Sequence, residues 1–237
     1  VSRVGDVGAY SQAAFSPDGS KVVVIKGDPD TGAQDVWTID VASGKGTPIT
    51  ADDALDSAPV WSPDGASIAY VSQHESEYRI YRRASNGSGT AELLYTHPRT
   101  SMPVLTDWSS DGKYLTFWEG DAMFLLPVEG TRTPIALDAE VYRGRGGRLS
   151  PDGKFLAYNS NRSGRFEVYV RPLALEGAGQ AGEARLVSDG GVGGIVWRRD
   201  GKELFYLAQP GQIVTSVQLD GAGGVKADSR TPLFKLP

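Results

Sequence analysis

Apolar residues recur along this chain in short alternating runs rather than at helical spacing. Runs such as 21–25 (KVVVI), 67–71 (SIAYV) and 114–118 (YLTFW) are rich in β-branched and aromatic residues, which favours strands over helices. Polar residues, Gly or Pro bound each run, and no segment approaches the roughly eighteen consecutive apolar residues of a membrane span. The pattern predicts an all-β chain of many short strands and no membrane contact from this segment.

A tight-turn motif precedes each of these runs. In such a turn Pro fixes φ, the Asp side chain binds nearby backbone amides, and Gly accepts the conformation that closes the turn. The motif occurs at 15–19 (FSPDG), 61–65 (WSPDG), 108–112 (WSSDG), 149–153 (LSPDG) and 197–201 (WRRDG). Its aspartates, separated by 46, 47, 41 and 48 residues, are Asp18, Asp64, Asp111, Asp152 and Asp200.

Each period holds four strands. After the first strand and the turn strand comes a third, such as 35–39 or 166–170, and then a short outer strand such as 93–95. Four antiparallel strands in about 40–50 residues are typical of a β-propeller blade. We therefore predict that residues 1–237 form a single domain, a β-propeller of about five four-stranded antiparallel blades. The blades are expected at 9–50, 56–97, 102–138, 144–188 and 191–237.

The two ends of the chain leave ring closure open. Residues 1–5 align with an outer strand, and residues 232–235 also resemble one. Either end could complete the last sheet, and a parent protein with six blades is the alternative. The chain begins at Val1 without Met or a signal-peptide pattern, so we expect a processed chain or an excised domain.

The repeated motif resembles that of a known family. An aromatic-Ser-Pro-Asp-Gly turn followed by an Ile-Ala-Tyr strand resembles the TolB-type, WD-repeat-like β-propeller family over essentially the whole chain. Segments 159–172 (NSNRSGRFEVYVRP) and 197–207 (WRRDGKELFYL) are similar to the propeller region of bacterial eukaryotic-like Ser/Thr kinases. The family includes periplasmic TolB, which binds a peptidoglycan-associated lipoprotein, and the gating propellers of some serine peptidases. The resemblance implies a periplasmic or extracytoplasmic binding, scaffold or sensor module of an envelope protein or receptor kinase.

Charge and composition narrow the function. A net charge of −5 argues against nucleic acid as a partner. The absence of Cys excludes disulfides, thiolate metal sites and cysteine nucleophiles. We expect no cofactor, and a protein or peptide as the partner. A monomer and self-assembly through open blade edges both stay open.

Carboxylates are scarce where a propeller enzyme would need them. The innermost strands, approximately 11–15, 57–61, 103–108, 144–149 and 192–197, contain one acidic residue, Asp107, whereas a glycosidase needs at least two converging carboxylates. Asp52, Asp53 and Asp56 lie in the loop before the inner strand at 57–61 and are expected to be solvated.

Other catalytic groups are not indicated either. The nucleophile-elbow pattern is absent, and His74 and His97 are expected to be exposed loop residues. We predict no catalytic residues; a hydrolase or lyase acting on a carbohydrate at the central channel is the alternative.

One loop has oxygen ligands at spacings near those of calcium loops. Asp28, Asp30 and Asp35 lie in 28–35 (DPDTGAQD), but Thr31 and Gly32 stand where a further ligand is needed. The matching place in the fourth blade reads as an ordinary hairpin turn. We therefore predict no metal, with this loop as a weak candidate.

A cluster of arginines marks the start of the fourth blade. Arg143, Arg145 and Arg148 lie in the Gly-rich segment 142–148 (YRGRGGR), where they could present positive charge at the channel mouth to a carboxylate or phosphate. Arg99 is expected on the same face, and Asp107 on the neighbouring inner strand. The alternative is a solvated loop. By contrast, Trp61, Trp108 and Trp197 stand at equivalent repeat positions, which indicates packing between blades.

Overall fold

The computed structural model describes residues 5–6, 8–98, 101–137, 144–175, 182–190, 194–210, 212–220 and 229–236. These residues form twenty strands and no helix. It follows that no helix among them is long and apolar enough to span a membrane. The all-β prediction is confirmed.

The first eight strands form two four-stranded antiparallel groups, β1 to β4 and β5 to β8. A single parallel bridge between Gln34 and Leu55 joins the two groups into one eight-stranded sheet. The sequence predicted five separate four-stranded sheets. The structure differs because this bridge joins the first two of them. The strands are β1 (Ala9–Phe15), β2 (Lys21–Gly27), β3 (Gln34–Asp40), β4 (Gly46–Pro48), β5 (Leu55–Trp61), β6 (Ser67–Gln73), β7 (Glu77–Ala84) and β8 (Glu92–Pro98).

Three further four-stranded antiparallel sheets follow. They are β9 (Val104–Trp108), β10 (Tyr114–Glu119), β11 (Ala122–Pro127) and β12 (Ile135–Ala136); β13 (Gly144–Leu149), β14 (Phe155–Ser160), β15 (Glu167–Pro172) and β16 (Arg185–Leu186); and β17 (Val196–Trp197), β18 (Glu203–Ala208), β19 (Ile213–Gln218) and β20 (Thr231–Lys235). The last sheet thus takes its fourth strand from the C-terminal segment. Residues 1–4, most of the other candidate, lie outside the described residues.

The chain divides into two compact units. The first contains Val1–Trp108 with Val128–Arg132, and the second contains Ser109–Pro127 with Thr133–Pro237. Val23, Val36 and Ile68 are fully buried in the core of the first unit. In the second unit the corresponding core includes Val168 and Leu204. Alternation along the strands places these residues on faces that pack together.

The turn motif works as its sequence predicts. In four copies a Ser hydroxyl donates to the Asp carboxylate two residues later and accepts the amide N–H at the start of the next strand. In the fifth copy Arg198 replaces the Ser and forms an ion pair with Asp200 at 2.8 Å. The closing glycines have positive φ, which a side chain would strain. The Ser–Asp pairs are Ser16–Asp18, Ser62–Asp64, Ser109–Asp111 and Ser150–Asp152.

Two kinds of hydrogen bond link consecutive blades within each unit. The indole N–H of Trp61 donates to the Ala14 carbonyl of the preceding blade at 3.0 Å. Trp197 makes the same bond to the Arg148 carbonyl, also at 3.0 Å. The predicted packing between blades is therefore confirmed at these two positions. Arginines make the second link: Arg83 donates to the carbonyl of Ile49, Arg171 to that of Leu137, and Arg230 to that of Val187.

Candidate functional site

The predicted arginine cluster falls only partly on described residues. Arg99 and Arg143 lie outside them, and only the backbone of Arg145 is described. Arg148 is exposed in β13, and its guanidinium donates to the carbonyl of Gly147 at 3.4 Å. The cluster as a partner-binding site thus stays a prediction.

The glycines around these arginines have a structural use. Strands β1, β5 and β13 each carry a bulge at the same place, and a residue of positive φ lies in each bulge: Gln12, Ala58 and Gly146. A side chain at Gly147 would come within 3.0 Å of Met123. The Gly-rich sequence therefore serves the bulged inner strand and its packing.

Asp107 is the acidic residue predicted on the inner strands. It lies half-buried in β9, and its carboxylate accepts the amide N–H of Trp108 at 3.0 Å. Asp107 and Arg148 occupy the same repeat position, one residue before the turn motif. Its role in binding a partner stays a prediction.

In the candidate calcium loop, the Asp28 side chain is hydrogen-bonded to backbone amides of the same loop. The Asp28 carboxylate accepts the amides of Asp30 at 2.8 Å and Thr31 at 3.3 Å, and these bonds lower the pKa of Asp28. Asp35 lies in β3 instead, where its carboxylate accepts the Thr50 hydroxyl at 3.2 Å. Among the described residues, no three His, Asp or Glu side chains gather as metal ligands.

Asp56 is buried, contrary to the expectation that it is solvated. It lies in β5 with no exposed surface, whereas Asp52 and Asp53 are exposed. Neither Asp56 carboxylate oxygen accepts a hydrogen bond of acceptable geometry. Burial raises the pKa of Asp56 to about 6, because the charged form loses its hydration; the nearby hydroxyls of Thr50 and Ser72 oppose this shift.

A second buried carboxylate is fully partnered. Glu167 in β15 accepts the Ser188 hydroxyl and, at 2.7 Å, the Gly190 amide. Arg165 completes the set with an ion pair at 2.6 Å. The residue after Glu167, Val168, donates its amide N–H to the Ser188 hydroxyl at 2.8 Å. In the first blade the residue after Asp35, Val36, donates its amide N–H to the Thr50 hydroxyl at the same distance. Asp35 and Glu167 are thus equivalent positions.

Neither histidine belongs to a group of three or more metal-ligating side chains in the part of the chain that the structure describes. His97 lies in β8 and is buried, so its expected exposure is wrong. His74 is half-buried in the turn between β6 and β7, with its ring edge-on to Tyr81. The sequence pattern did not predict the burial of Asp56. The only sequence signal for this burial was the position of Asp56 next to the apolar residues that follow it in β5.

Sequence comparison gives a family match over more than half of the chain. Residues 3–133 match the profile of the TolB beta propeller domain. The uncharacterised peptidase YuxL of Bacillus subtilis (strain 168) is 26% identical over 104 residues, which cover 42% of this chain. The match covers 15% of the length of that relative.

Solved structures resemble nearly the whole chain in fold. A putative TolB from Agrobacterium tumefaciens superposes with a TM-score of 0.72 at 20% identity, over 97% of this chain and 82% of that one. The periplasmic gluconolactonase PpgL of Pseudomonas aeruginosa gives 0.62 at 18% identity, over 98% and 72%. Similarity at these identities establishes the fold, which binding proteins and enzymes share.

Proposed function

The chain belongs to the TolB beta-propeller domain family, and on this premise we propose that it is a non-catalytic module that binds a protein or peptide in the bacterial cell envelope. One observation carries the proposal. The polar groups that recur from repeat to repeat are used inside the fold, in the Ser–Asp turns, the indole N–H bonds and the arginine links between blades. Recognition is left to the residues that differ between repeats, such as the arginines of 142–148.

The charged groups give little support to the enzyme alternative. A carboxyl group with a pKa near 6 suits general acid catalysis, and Asp56 has one. Asp56 has no exposed surface, however, so the scissile bond of a sugar or peptide cannot be placed against its carboxyl group. The match to a peptidase covers only 15% of that relative, which supports a shared propeller more than a shared reaction.

A binding experiment tests the proposal at the arginine cluster. We expect the chain to bind peptides from bacterial envelope proteins on an array, and the triple variant Arg143→Ala/Arg145→Ala/Arg148→Ala to lose at least about tenfold in affinity, because charge-assisted hydrogen bonds are removed. The matched control, Arg185→Ala/Arg199→Ala/Lys202→Ala, removes three positive charges from exposed positions and should bind normally.

Turnover measurements provide the opposing test. A lactone, a glycoside and a peptide ester are incubated with the chain and with Asp107→Asn. A rate above that of buffer which disappears in the variant would contradict the non-catalytic proposal. Equal affinities of both triple variants would instead remove the arginine cluster from the binding surface.

Self-assembly through an open blade edge is a second candidate, favoured by the last strand. All five residues of β20 are exposed, among them Leu233 and Phe234. An exposed edge strand offers unpaired backbone groups to another chain. Apolar side chains on such a strand would add to that association.

A further inference from the structure

The bridge between the first two blades brings two carboxylates together. Gln34 of β3 and Leu55 of β5 are partners in a parallel bridge. The next residues along both strands, Asp35 and Asp56, therefore lie on the opposite face, side by side. The Thr50 hydroxyl interacts with both side chains, so the two carboxylates lie close together.

Two hydroxyl groups complete this oxygen-rich position. Ser72 is the antiparallel partner of Asp56 across β5 and β6. Thr50 donates to the Asp35 carboxylate at 3.2 Å. The hydroxyls of Thr50 and Ser72 both favour the charged form of Asp56 and so lower its pKa. Asp52 adds further negative charge nearby.

Within the described residues, no Lys, Arg or His forms an ion pair with Asp35 or Asp56. Lys26 is the antiparallel partner of Asp35, but its ammonium lies over the Trp37 ring, 4.2 Å from the ring centre. Asp56 has no exposed surface, and both of its oxygens lack hydrogen-bond partners. A buried charge in this state is costly. In the fourth blade Arg165, two residues before Glu167, supplies the cation. The residue two positions before Asp35 is Ala33, which cannot do so.

We propose that Asp35, Asp56, Thr50 and Ser72 form a binding site for a hard divalent cation of the calcium type. Calcium accepts six to eight oxygen ligands in flexible geometry, and carboxylates and hydroxyls are such ligands. Two carboxylates balance the charge of one divalent ion, and water or backbone carbonyls supply the other ligands. The ion would take the part that Arg165 plays in the fourth blade. The site differs from the 28–35 loop, because Asp28 binds the amides of its own turn.

Calcium titration of the whole chain tests the proposal. In metal-free buffer at pH 8, we expect calorimetry to show one calcium ion per chain, and excess CaCl2 to raise Tm by at least about 2–4 °C. Asp56→Asn should lose both effects, since it removes the buried charge. Asp53→Asn is the matched control: it removes an exposed acid from the same segment and should respond like the native chain. NaCl at equal ionic strength should not reproduce the shift.

The outcomes separate this site from its rivals. Absence of both binding and a Tm shift in the native chain would overturn the proposal. So would binding that survives in Asp56→Asn but disappears in Asp28→Asn, because the ion would then lie in the 28–35 loop. If Asp56→Asn does not fold, Ser72→Ala serves as the milder variant. Its calcium affinity should fall about tenfold, and an unchanged affinity would count against the site.

Discussion

Single residues at equivalent positions in the repeats have different electrostatic surroundings. Glu167 and Asp35 occupy the same place at the start of a third strand. Glu167 is neutralised by Arg165 and by hydrogen bonds, whereas burial raises the pKa of Asp35. The repeat thus conserves its backbone geometry while the charge balance is set by neighbours that the motif does not include.

The turn aspartates give a residue-scale prediction about acid stability. Hydrogen bonds from Ser16 and Ser20 lower the pKa of Asp18 from 3.8 to about 2. A carboxyl whose folded pKa is depressed stabilises the fold above its unfolded pKa, and loses that effect as the pH falls towards the folded pKa. We expect Asp18→Asn to reduce the loss of stability between about pH 4 and pH 2, measured as Tm against pH. An identical pH profile in the exposed control Asp121→Asn and in Asp18→Asn would contradict this.

At the scale of elements, the indole bonds fix how a blade meets the one before it. Trp61 is nearly buried and donates to the carbonyl of Ala14. Phe15 stands at the equivalent place in the first blade but is 67% exposed. The same sequence position is therefore buried in the second blade and exposed in the first.

This contrast provides a matched pair of variants. Trp61→Phe should lower the free energy of unfolding by about 1–3 kcal/mol, because it removes the hydrogen bond and leaves a small cavity. Phe15→Leu at the equivalent exposed position should change it by less than about 0.5 kcal/mol. Urea unfolding measures both. Equal losses would show that Trp61 does not act through the contact with the preceding blade.

The strands themselves were predictable from the sequence, and the joining of the first two blades was not. Alternating apolar residues between turn motifs predicted β2, β6 and β14 directly, because strand pairing inside a blade is local. The bridge of Gln34 to Leu55 lies between two repeats and depends on how their strands approach. For the same reason the sequence pattern placed Asp56 in the loop before β5 rather than in the strand, and it missed the burial of this residue.

At the scale of the whole molecule, the apolar edge of β20 predicts self-association. Light scattering should show a mass that rises above 25.3 kDa as concentration increases, since Leu233 and Phe234 are exposed on an edge strand. Phe234→Lys should stay at the monomer mass, whereas the control Thr231→Lys, in the same strand, should still associate. A native chain of monomer mass at every concentration would remove self-assembly as a candidate function.

The sequence by itself determined the repeat, its four-stranded unit and the chemistry of its turns. These depend on residues close together in the chain, and five copies reinforce one signal. Only the tertiary structure decided which polar groups are buried and what faces them. Asp35 and Asp56 are 21 residues apart and become neighbours through one bridge between blades. The energy of a charge depends on its surroundings in space, and those surroundings are set when the strands of different repeats come together.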